Sequence, residues 1–580
     1  MKMQWKKTAL AAALMFGAFI AVDHGARADE VQPASVRMES HPLTDRLEVQ
    51  LKSLYNEKVP GGVRAGAVVR LTNTSDRLTR VPDYELRIVT DDGAEYTLSP
   101  SASNARSVQP KSKVELSYLT TIDREDDVVL SELTWVDVDV YVYPKQETKV
   151  LTLPISPQDG EDGGVSDGLA ASIAWGDAFV LPFEEPPLRY TAVDLAETSN
   201  EQGPVVIVKV LVENPNDEKR AVSDFAIDGK SERKTYKGNR IEQGDIVVEP
   251  GEKRYVHFVI PTESGAQLTG LTVVTPERFI QAEAQGQAAA IAYTVDRFHI
   301  SLPDSSVASE RARLPYYAFG QRISFDPVNK LVDPRLAVSL ADLRLYQNEN
   351  AGYQTAVARF RIENTGETPL PVPAFAAELL SSNGFRYAGV ANNAQAASAP
   401  PQIMPNSSAL VAYSFLLPDS DTGDLSVKLF DAVSIAPYKT AIAAFNVALL
   451  PEMTNLDPIS FYPFEVTIKD WDFYASMSAG MAATMYSYRV KLNLDIRLTD
   501  NVALGQDIPK LEVELEDRNG VVMASQAIPF VGPGKLISGP QTISLDNVGY
   551  QLESGIKINI YERIDTANGP AKRLVAEFRT

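Results

Sequence analysis

The stretch YSYRVKLNLDIRL, residues 486–498, alternates apolar and polar side chains over its whole length. A period of two is the period of a β-strand, in which successive side chains point to opposite faces of the sheet. The same alternation recurs elsewhere, for example at Val136, Val138, Val140 and Val142 against Asp137 and Asp139. Sustained helical periodicity is nearly absent, and Gly, Pro, Asn and Asp punctuate the strands. We therefore predict an all-β chain.

The end of this strand recurs in four copies along the chain. The copies read VRLTNTS, VLVENPN, FRIENTG and DIRLTDN, and they contain Asn73, Asn214, Asn364 and Asp500. We predict that these side chains hold turns through bonds to the backbone, a common role of Asn and Asp after a strand. Two residues earlier stand Leu71, Val212, Ile362 and Leu498. We predict that these four apolar residues are buried and structurally equivalent.

Turn residues recur at fixed distances after these strands. Twenty residues further on, three copies have a glycine after Asp or Asn, a pair favoured in tight hairpins: Gly93, Gly384 and Gly520. In the second copy Asp228 and Gly229 take that place, five residues early. A further strand follows a proline in the first three copies, at Pro110, Pro250 and Pro405.

The strand that opens each copy carries a change of phase. Three alternating apolar residues are followed by a step of three, and the copies run Leu47, Val49, Leu51, Leu54; Leu188, Tyr190, Ala192, Leu195; Leu336, Val338, Leu340, Leu343; and Phe464, Val466, Ile468, Trp471. A shift of one residue sends side chains to the other face of a sheet. We predict a β-bulge at each step, which would let the strand leave one sheet and join the other.

These coincidences predict four tandem β-sandwich modules, at residues 29–155, 169–300, 316–450 and 459–580. The linkers fall where the pattern lapses, at 156–168, 301–315 and 451–458. The first linker, SPQDGEDGGVSDG, is acidic and rich in glycine, a composition typical of a flexible segment.

The modules resemble the immunoglobulin-like domains of uncertain function found in secreted proteins of Gram-positive bacteria. The likeness is carried by VVRLTNTS with the hairpin DDG, and by VLVENPN with the strand VVEPGEKRYVHF. It covers the first three modules and extends loosely to the fourth, in which the strand after the proline departs from the pattern. These motifs specify turns and strands, so the resemblance implies an immunoglobulin-like sandwich and supplies no catalytic residue.

Residues 1–28 have the pattern of a signal peptide, with lysines at its start, an apolar run at 8–22 and the triplet ARA at 26–28. We therefore predict a secreted, extracellular protein, either free or held noncovalently at the cell wall, with no membrane span. Because the chain has no cysteine, its stability must come from apolar cores rather than disulfides. Removal of the peptide, with its four Lys/Arg and one Asp, takes the net charge from −21 to −24. So acidic a chain is repelled by phosphate backbones, which argues against nucleic acid as a partner.

Motifs for catalysis are weak. Residues 164–168, GVSDG, fit the pattern G-x-S-x-G, but that motif requires a strand feeding a strained turn, and these residues lie in the acidic linker. His41, His257 and His299 are dispersed, whereas a zinc site needs clustered ligands. His257 alternates with apolar neighbours, so we predict that it faces solvent. We predict no enzymatic activity, no catalytic residue and no cofactor or metal site, with calcium at the acidic loops 123–127 and 419–424 as the alternative.

One place breaks the repeat. The fourth copy contains extra residues within ASMSAGMAATM, where Met477, Met481 and Met485 recur at a spacing of four. One or two helical turns would align these methionines on a single stripe. The stripe would either complete the core of its own module or form an adaptable apolar surface for a partner.

Aromatic residues raise an alternative, because Trp471, Phe473 and Tyr474 lie close together and exposed rings stack on sugars. Trp471, however, occupies the core register of the opening strand. We therefore predict a non-catalytic structural or adhesive protein, a modular spacer whose partner is another extracellular or cell-wall protein or a second copy of itself. The alternative is a soluble binding module for cell-wall polysaccharide or another extracellular ligand.

Overall fold

The computed structural model describes residues 39–124, 126, 128–155, 171–182, 184–281, 289–302, 311–348, 352–392, 401–419, 423–450, 453–479, 484–503, 508–548 and 555–580. Within these ranges the regular structure is almost entirely strand, with one short helical turn at 311–313, so the all-β prediction is confirmed. The predicted signal peptide, residues 1–28, and the predicted first linker, residues 156–168, lie outside the described residues.

Buried apolar side chains form four large clusters, each drawn from one stretch of the chain. The stretches run from Leu43 to Ile155, from Ala171 to Leu302, from Tyr317 to Leu449 and from Ile459 to Phe578. We call the units around these cores modules 1 to 4. Two smaller clusters lie between modules, one joining modules 1 and 2 and the other joining modules 3 and 4.

The strands of module 1 are β1 (His41–Pro42), β2 (Leu47–Val59), β3 (Gly62–Asn73), β4 (Thr79–Arg80), β5 (Glu85–Thr90), β6 (Glu95–Pro100), β7 (Ser107–Val108), β8 (Lys113–Ile122), β9 (Leu130–Asp139) and β10 (Gln146–Pro154). Those of module 2 are β11 (Ala171–Ile173), β12 (Ala178–Phe179), β13 (Arg189–Asn200), β14 (Gly203–Glu213), β15 (Arg220–Ala221), β16 (Ala226–Lys230), β17 (Thr235–Tyr236), β18 (Asn239–Arg240), β19 (Val247–Val248), β20 (Lys253–Pro261), β21 (Gly270–Gln281) and β22 (Ala289–Ser301).

The strands of module 3 are β23 (Leu336–Gln347), β24 (Tyr353–Asn364), β25 (Leu370–Pro371), β26 (Ala376–Ser381), β27 (Arg386–Ala388), β28 (Val390–Ala391), β29 (Gln402–Ile403), β30 (Ser408–Pro418), β31 (Leu425–Asp431) and β32 (Thr440–Val447). Those of module 4 are β33 (Ile459–Phe461), β34 (Phe464–Ala479), β35 (Thr484–Leu498), β36 (Val502–Ala503), β37 (Lys510–Glu516), β38 (Val522–Pro529), β39 (Gly539–Val548), β40 (Lys557–Thr566) and β41 (Gly569–Arg579).

All four modules use one strand order. A long hairpin pairs with one later strand to form the opening sheet, as β2-β3-β8, β13-β14-β20, β23-β24-β30 and β34-β35-β39. The closing sheet runs β6-β5-β9-β10, β17-β16-β21-β22, β27-β26-β31-β32 and β38-β37-β40-β41, and the core lies between the two sheets. We call the long first hairpin of a module its opening hairpin and the hairpin of its last two strands its closing hairpin.

Each opening hairpin contains the predicted bulge. The register shifts between Leu51 and Ser53, between Ala192 and Asp194, between Leu340 and Asp342, and between Ile468 and Asp470. The prediction that the strand then changes sheets is wrong, because the strand stays paired with the same partner to the end of the hairpin. The extra residue of the bulge cancels the change of phase, so Leu51 and Leu54 both pack on the core of module 1.

Three of the four predicted strand-end residues hold their turns as expected. Asn73, Asn214 and Asn364 are buried, and the amide nitrogen of each donates to the carbonyl four residues later. The same nitrogen reaches the residue before a later turn, at Val108, Val248 and Ile403. The side-chain oxygen accepts from the amide two residues later. One buried amide therefore joins two turns of its module.

Module 4 departs from this pattern. Leu498 pairs with Phe464 as Asn73 pairs with Leu47 and Asn364 with Leu336, so Leu498 occupies the asparagine position. The prediction that Leu498 is buried is wrong, since its side chain is 48% exposed. Leucine cannot donate to the turn carbonyls, so it cannot take over the role of the asparagine at this position. Asp500, two residues further on, accepts a hydrogen bond from the Tyr462 hydroxyl instead.

The predicted glycine turns are confirmed in three modules. Gly93, Gly384 and Gly520 have φ values of 82°, 88° and 82°, which only glycine adopts readily, and each donates to the carbonyl three residues earlier. The equivalent role predicted for Asp228 and Gly229 is wrong. Gly229 lies within β16, where it pairs with Tyr236 and where an added Cβ would meet Leu268 at 2.9 Å.

Replacing Asn364 with alanine should lower the free energy of unfolding by about 3 kcal/mol, because the buried backbone groups that it satisfies lose their partners. Urea unfolding measures this change. The matched control is Leu498→Ala, at the same register position of module 4, which should change stability by less than about 0.5 kcal/mol. Equal losses for the two variants would refute the assigned register.

Candidate functional site

The predicted partner surface lies on the opening hairpin of module 4. Met477 belongs to β34 and Met485 to β35, where they pair with Tyr486 and Ser478. The helical turns predicted for this segment are therefore wrong at 476–479 and 484–485, which are strand. Met481 lies outside the described residues. The extra residues lengthen the hairpin. Cross-strand pairs can be added at the far end of a hairpin without disturbing the core that the rest of it covers.

The aromatic residues of this hairpin divide between its two faces. Trp471 stacks on Phe578 with ring centroids 5.0 Å apart, and Phe473 stacks on Tyr488 at 5.7 Å. Both pairs pack on the core of module 4, in agreement with the prediction for Trp471. Tyr474 lies on the opposite face and is 52% exposed. The three rings therefore do not form one platform for a sugar.

Modules 1 and 2 meet on the outer face of an opening sheet, the face turned away from the module's own core. Lys52, the bulged residue of β2, forms an ion pair with Glu277 of β21 at 2.9 Å, and its carbonyl accepts from Arg297 at 2.8 Å. Apolar side chains complete this joint: Tyr55 and Leu119 from module 1, and Phe279, Tyr293 and Val295 from module 2. The Tyr55 and Tyr293 rings lie 4.3 Å apart.

Modules 2 and 3 meet in the same way. Lys209 of β14, which pairs with Asp194 beside the bulge, forms an ion pair with Asp326 at 2.9 Å. The Tyr255 hydroxyl also donates to Asp326, at 2.7 Å. Burial alone would raise the pKa of Asp326, but the bonds from Lys209 and Tyr255 hold it below its ordinary value. The Asp326 amide donates to Ile442 of β32, so this carboxylate is anchored on the closing hairpin of module 3.

His257 lies in this second joint, and the prediction that it faces solvent is wrong. Its side chain is 5% exposed, and its ring Nδ1 lies 2.7 Å from the carboxylate of Glu242. The same carboxylate accepts from the His257 backbone amide. Asp431, from the closing hairpin of module 3, lies within electrostatic range of the ring. Alternation placed His257 on the outer face correctly, but that face is covered by the next module.

Modules 3 and 4 share the most deeply buried charges. Arg359 of β24 pairs with Glu562 of β40 at 3.1 Å, and their side chains are 0% and 1% exposed. Arg359 also binds Asp342, beside the bulge, at 2.9 Å, and Glu562 binds Arg573 at 2.6 Å. Burial alone would raise the pKa of Glu562, but Arg359 and Arg573 hold it below its ordinary value. Tyr346 packs beside these charges with apolar residues of both modules.

The three joints follow one rule. A cation on the opening hairpin of one module, at or opposite the bulge, binds a carboxylate of the next module: Lys52 with Glu277, Lys209 with Asp326, and Arg359 with Glu562. Every closing hairpin has a bulge of its own, after Trp135, Val273, Leu429 and Ile560. Glu562 stands two residues past that point and Glu277 stands four residues past it. In modules 2 and 4 a carboxylate beyond the closing bulge therefore meets the preceding module, whereas module 3 uses Asp326, which precedes β23.

Groups suited to other chemistry are sparse in the described ranges. Burial raises the pKa values of Asp228 and Asp296, which are near each other in module 2, and lowers the pKa of His299 beside Asp296. Asp228 accepts the amide of Gly238 at 2.9 Å, so it holds the bend after β17. We interpret Asp228 as part of the module's own fold. The sequence alone does not single out Asp228 and Asp296 as a pair, because acidic residues are frequent along the whole chain.

The predicted motifs lie largely outside the described residues. Residues 164–168 are not described, and neither are parts of the loops 123–127 and 419–424. Arg124 in the first loop forms an ion pair with Asp92 at 2.7 Å. No group of three or more His, Asp or Glu residues able to hold a metal occurs in the part of the chain that is described. That part also contains no helix with the length and hydropathy needed to cross a membrane.

Comparison with known proteins gives no family for this chain. No family model matches it, and no curated protein matches it. Among solved structures, the chain is similar to the dimeric latent PorU from Porphyromonas gingivalis at 9% sequence identity and a TM-score of 0.13. The match covers 70% of this chain and 32% of the PorU chain, so this chain spans about a third of that protein. A TM-score of this size indicates no shared overall arrangement.

Replacing Glu562 with glutamine should destabilise the third joint by about 3 kcal/mol, because Arg359 and Arg573 then lose a buried counter-charge while the shape is kept. Urea unfolding of the full chain, followed by tryptophan fluorescence, measures the loss. The control is Glu577→Gln, which removes an exposed ion pair with Arg579 in the same module and should cost less than about 0.5 kcal/mol. Similar small changes in both variants would contradict a joint held by this pair.

Proposed function

We propose that this chain is a non-catalytic structural or adhesive protein, secreted or at the cell surface, that acts as a modular spacer with protein-binding surfaces. The observation that supports the proposal is the repeated joint. In each of three places, a cation of one module forms an ion pair with a carboxylate of the next, and at least one partner of each pair is buried. A buried charge is costly unless its partner is held in one geometry. Modules joined in this way keep a defined orientation, which a spacer requires and a string on flexible linkers lacks.

The proposal is tested by measuring how rigid the joints are. Because the chain has no cysteine, Leu78→Cys in module 1 and Phe385→Cys in module 3 give two unique sites for dyes, both at exposed positions. Single-molecule energy transfer at nanomolar concentration should give one narrow distance distribution. The double change Glu277→Gln and Asp326→Asn should broaden it, since Lys52, Arg297 and Lys209 lose carboxylate partners.

The matched control for this experiment is Glu263→Gln, at an exposed ion pair with Lys234 away from the joints. It should leave the distribution unchanged. If the unaltered protein is already as broad as the double variant, the modules move independently and the spacer proposal is wrong.

The alternative function, a binding module for cell-wall polysaccharide, is favoured by one observation. Tyr141 and Tyr143, at the tip of the closing hairpin of module 1, are 97% and 100% exposed. Exposed tyrosine rings present flat apolar faces with a polar end, which suits contact with either sugars or proteins. Co-sedimentation with purified cell-wall polysaccharide, compared with a Tyr141→Ser and Tyr143→Ser variant, distinguishes this function from the spacer.

A further inference from the structure

The two ends of the array carry surfaces that the joints use elsewhere. In the first and third joints, the outer face of an opening hairpin meets the outer part of the next module's closing hairpin. In the second joint, Lys209 of the opening hairpin donates to the Ala441 carbonyl of the closing hairpin. Two such surfaces of the described residues are exposed rather than covered by another module, on the closing hairpin of module 1 and on the opening hairpin of module 4. These two exposed surfaces therefore correspond to the two halves of a joint.

The closing hairpin of module 1 ends in an exposed apolar tip. Val140, Tyr141, Val142 and Tyr143 are 68%, 97%, 47% and 100% exposed. In the closing hairpins of modules 2 and 4, apolar residues beyond the bulge are buried against the preceding module, among them Phe279, Tyr293, Ile564 and Ala571. An exposed cluster of aromatic and β-branched residues commonly marks a contact surface.

Carboxylates on this hairpin match those of the existing joints by register. The closing bulge follows Trp135 in module 1. Asp137 therefore stands two residues past that point, as Glu562 does in module 4, and Asp139 stands four residues past it, as Glu277 does in module 2. Asp137 and Asp139 are both exposed. The two positions that bind cations of the preceding module are thus acidic and accessible in module 1.

The opening hairpin of module 4 offers the complementary charges. Lys469 is the bulged residue there, as Lys52 is in module 1, and its side chain is 54% exposed. Arg489 and Lys491 of β35 are exposed, and alternation places them on the same outer face as Asn493, the partner of Asp470. Tyr474 lies exposed on this face as well. These cations stand on the opening hairpin, beside the exposed Asp470 and Asp472, and the carboxylates stand on the closing hairpin, the same polarity as in the first and third joints.

We propose that copies of this chain associate head to tail, with the closing hairpin of module 1 in one copy docked on the opening hairpin of module 4 in the next. The partner is a second copy of this chain, and the contact repeats the joint found between modules. This inference rests on the proposed spacer function and names its partner. A contact between unlike surfaces leaves a free half at each end, so assembly continues into chains of copies.

Sedimentation velocity tests the proposal on the protein without residues 1–28, from about 1 to about 100 µM, a range in which weak contacts become populated. The sedimentation coefficient should rise with concentration, and added salt should weaken the rise. Charge reversal at one end, either Asp137→Lys with Asp139→Lys or Lys469→Glu with Lys491→Glu, should weaken association roughly tenfold or more. These exposed positions should leave the unfolding midpoint unchanged, and Asp83→Lys is the matched control.

Mixing the two charge-reversed proteins gives a sharper result. Each protein alone then carries like charges at its two surfaces, whereas in the mixture both contacts join opposite charges, so association should return only when the two proteins are mixed. A single chain with both ends reversed should regain association, because the charges are again opposite. A protein that stays monomeric throughout the range, or whose association ignores these substitutions, overturns the proposal.

Failure of this inference is separable from failure of the spacer function. A narrow intramolecular distance distribution at nanomolar concentration, together with a monomer at 100 µM, the top of the tested range, would keep the spacer and remove self-association. If instead the protein is monomeric and Tyr141→Ser with Tyr143→Ser abolishes sedimentation with cell-wall polysaccharide, the exposed tip is a sugar-binding site and the assembly proposal is wrong.

Discussion

Where modules meet, the opening hairpin of one module and the closing hairpin of the next extend beyond the cores that they cover, and their outer parts are buried against each other. In modules 1 and 3 the strands past the opening bulge carry Tyr55 and Tyr346 outward, where residues of the next module complete their burial. The bulges make this arrangement compatible with a sandwich. They keep the apolar run of each strand on its own core while the remaining side chains face the neighbour. Folding of one module and attachment to the next thus depend on the same strands.

Local chemistry made much of the fold predictable. Asn73, Asn214 and Asn364 each accept a hydrogen bond from the backbone amide two positions later in the sequence. The glycine turns and the opening bulges also depend on residues that are close in sequence. The failures have long-range causes. His257 was placed on the right face but is buried beside Glu242 and a neighbouring module. Leu498 aligns with the asparagines only through its pairing with Phe464, which is set by the length of the hairpin. The joints themselves have no motif, since Arg359 and Glu562 are 203 residues apart.

Polar joints explain how modules of similar shape dock on one neighbour in one geometry. A purely apolar contact would accept any module with a complementary surface, whereas each buried cation here requires a carboxylate at one position of its neighbour. The three cations also sit differently, Lys52 at the bulge and Lys209 and Arg359 on the opposite strand. A mismatched pair of modules would bury at least one charge without its partner. Specific docking is therefore obtained at some cost in stability relative to an apolar contact.

Repeat arrays usually end in units whose outer faces are polar and stay in solvent. Module 4 satisfies that description, but its outer face is no more polar than the faces buried in the joints, which also carry lysine and arginine. Polarity alone therefore does not distinguish a cap from an unused joint in this chain. Module 1 indicates an unused joint surface rather than a cap. A hairpin that only capped the array would gain no stability from two exposed tyrosines at its tip. Burial of such rings stabilises a contact most where the charges beside them also pair. The acidic residues next to the tip, Asp137 and Asp139, match in register Glu562 and Glu277, which pair with cations in the joints.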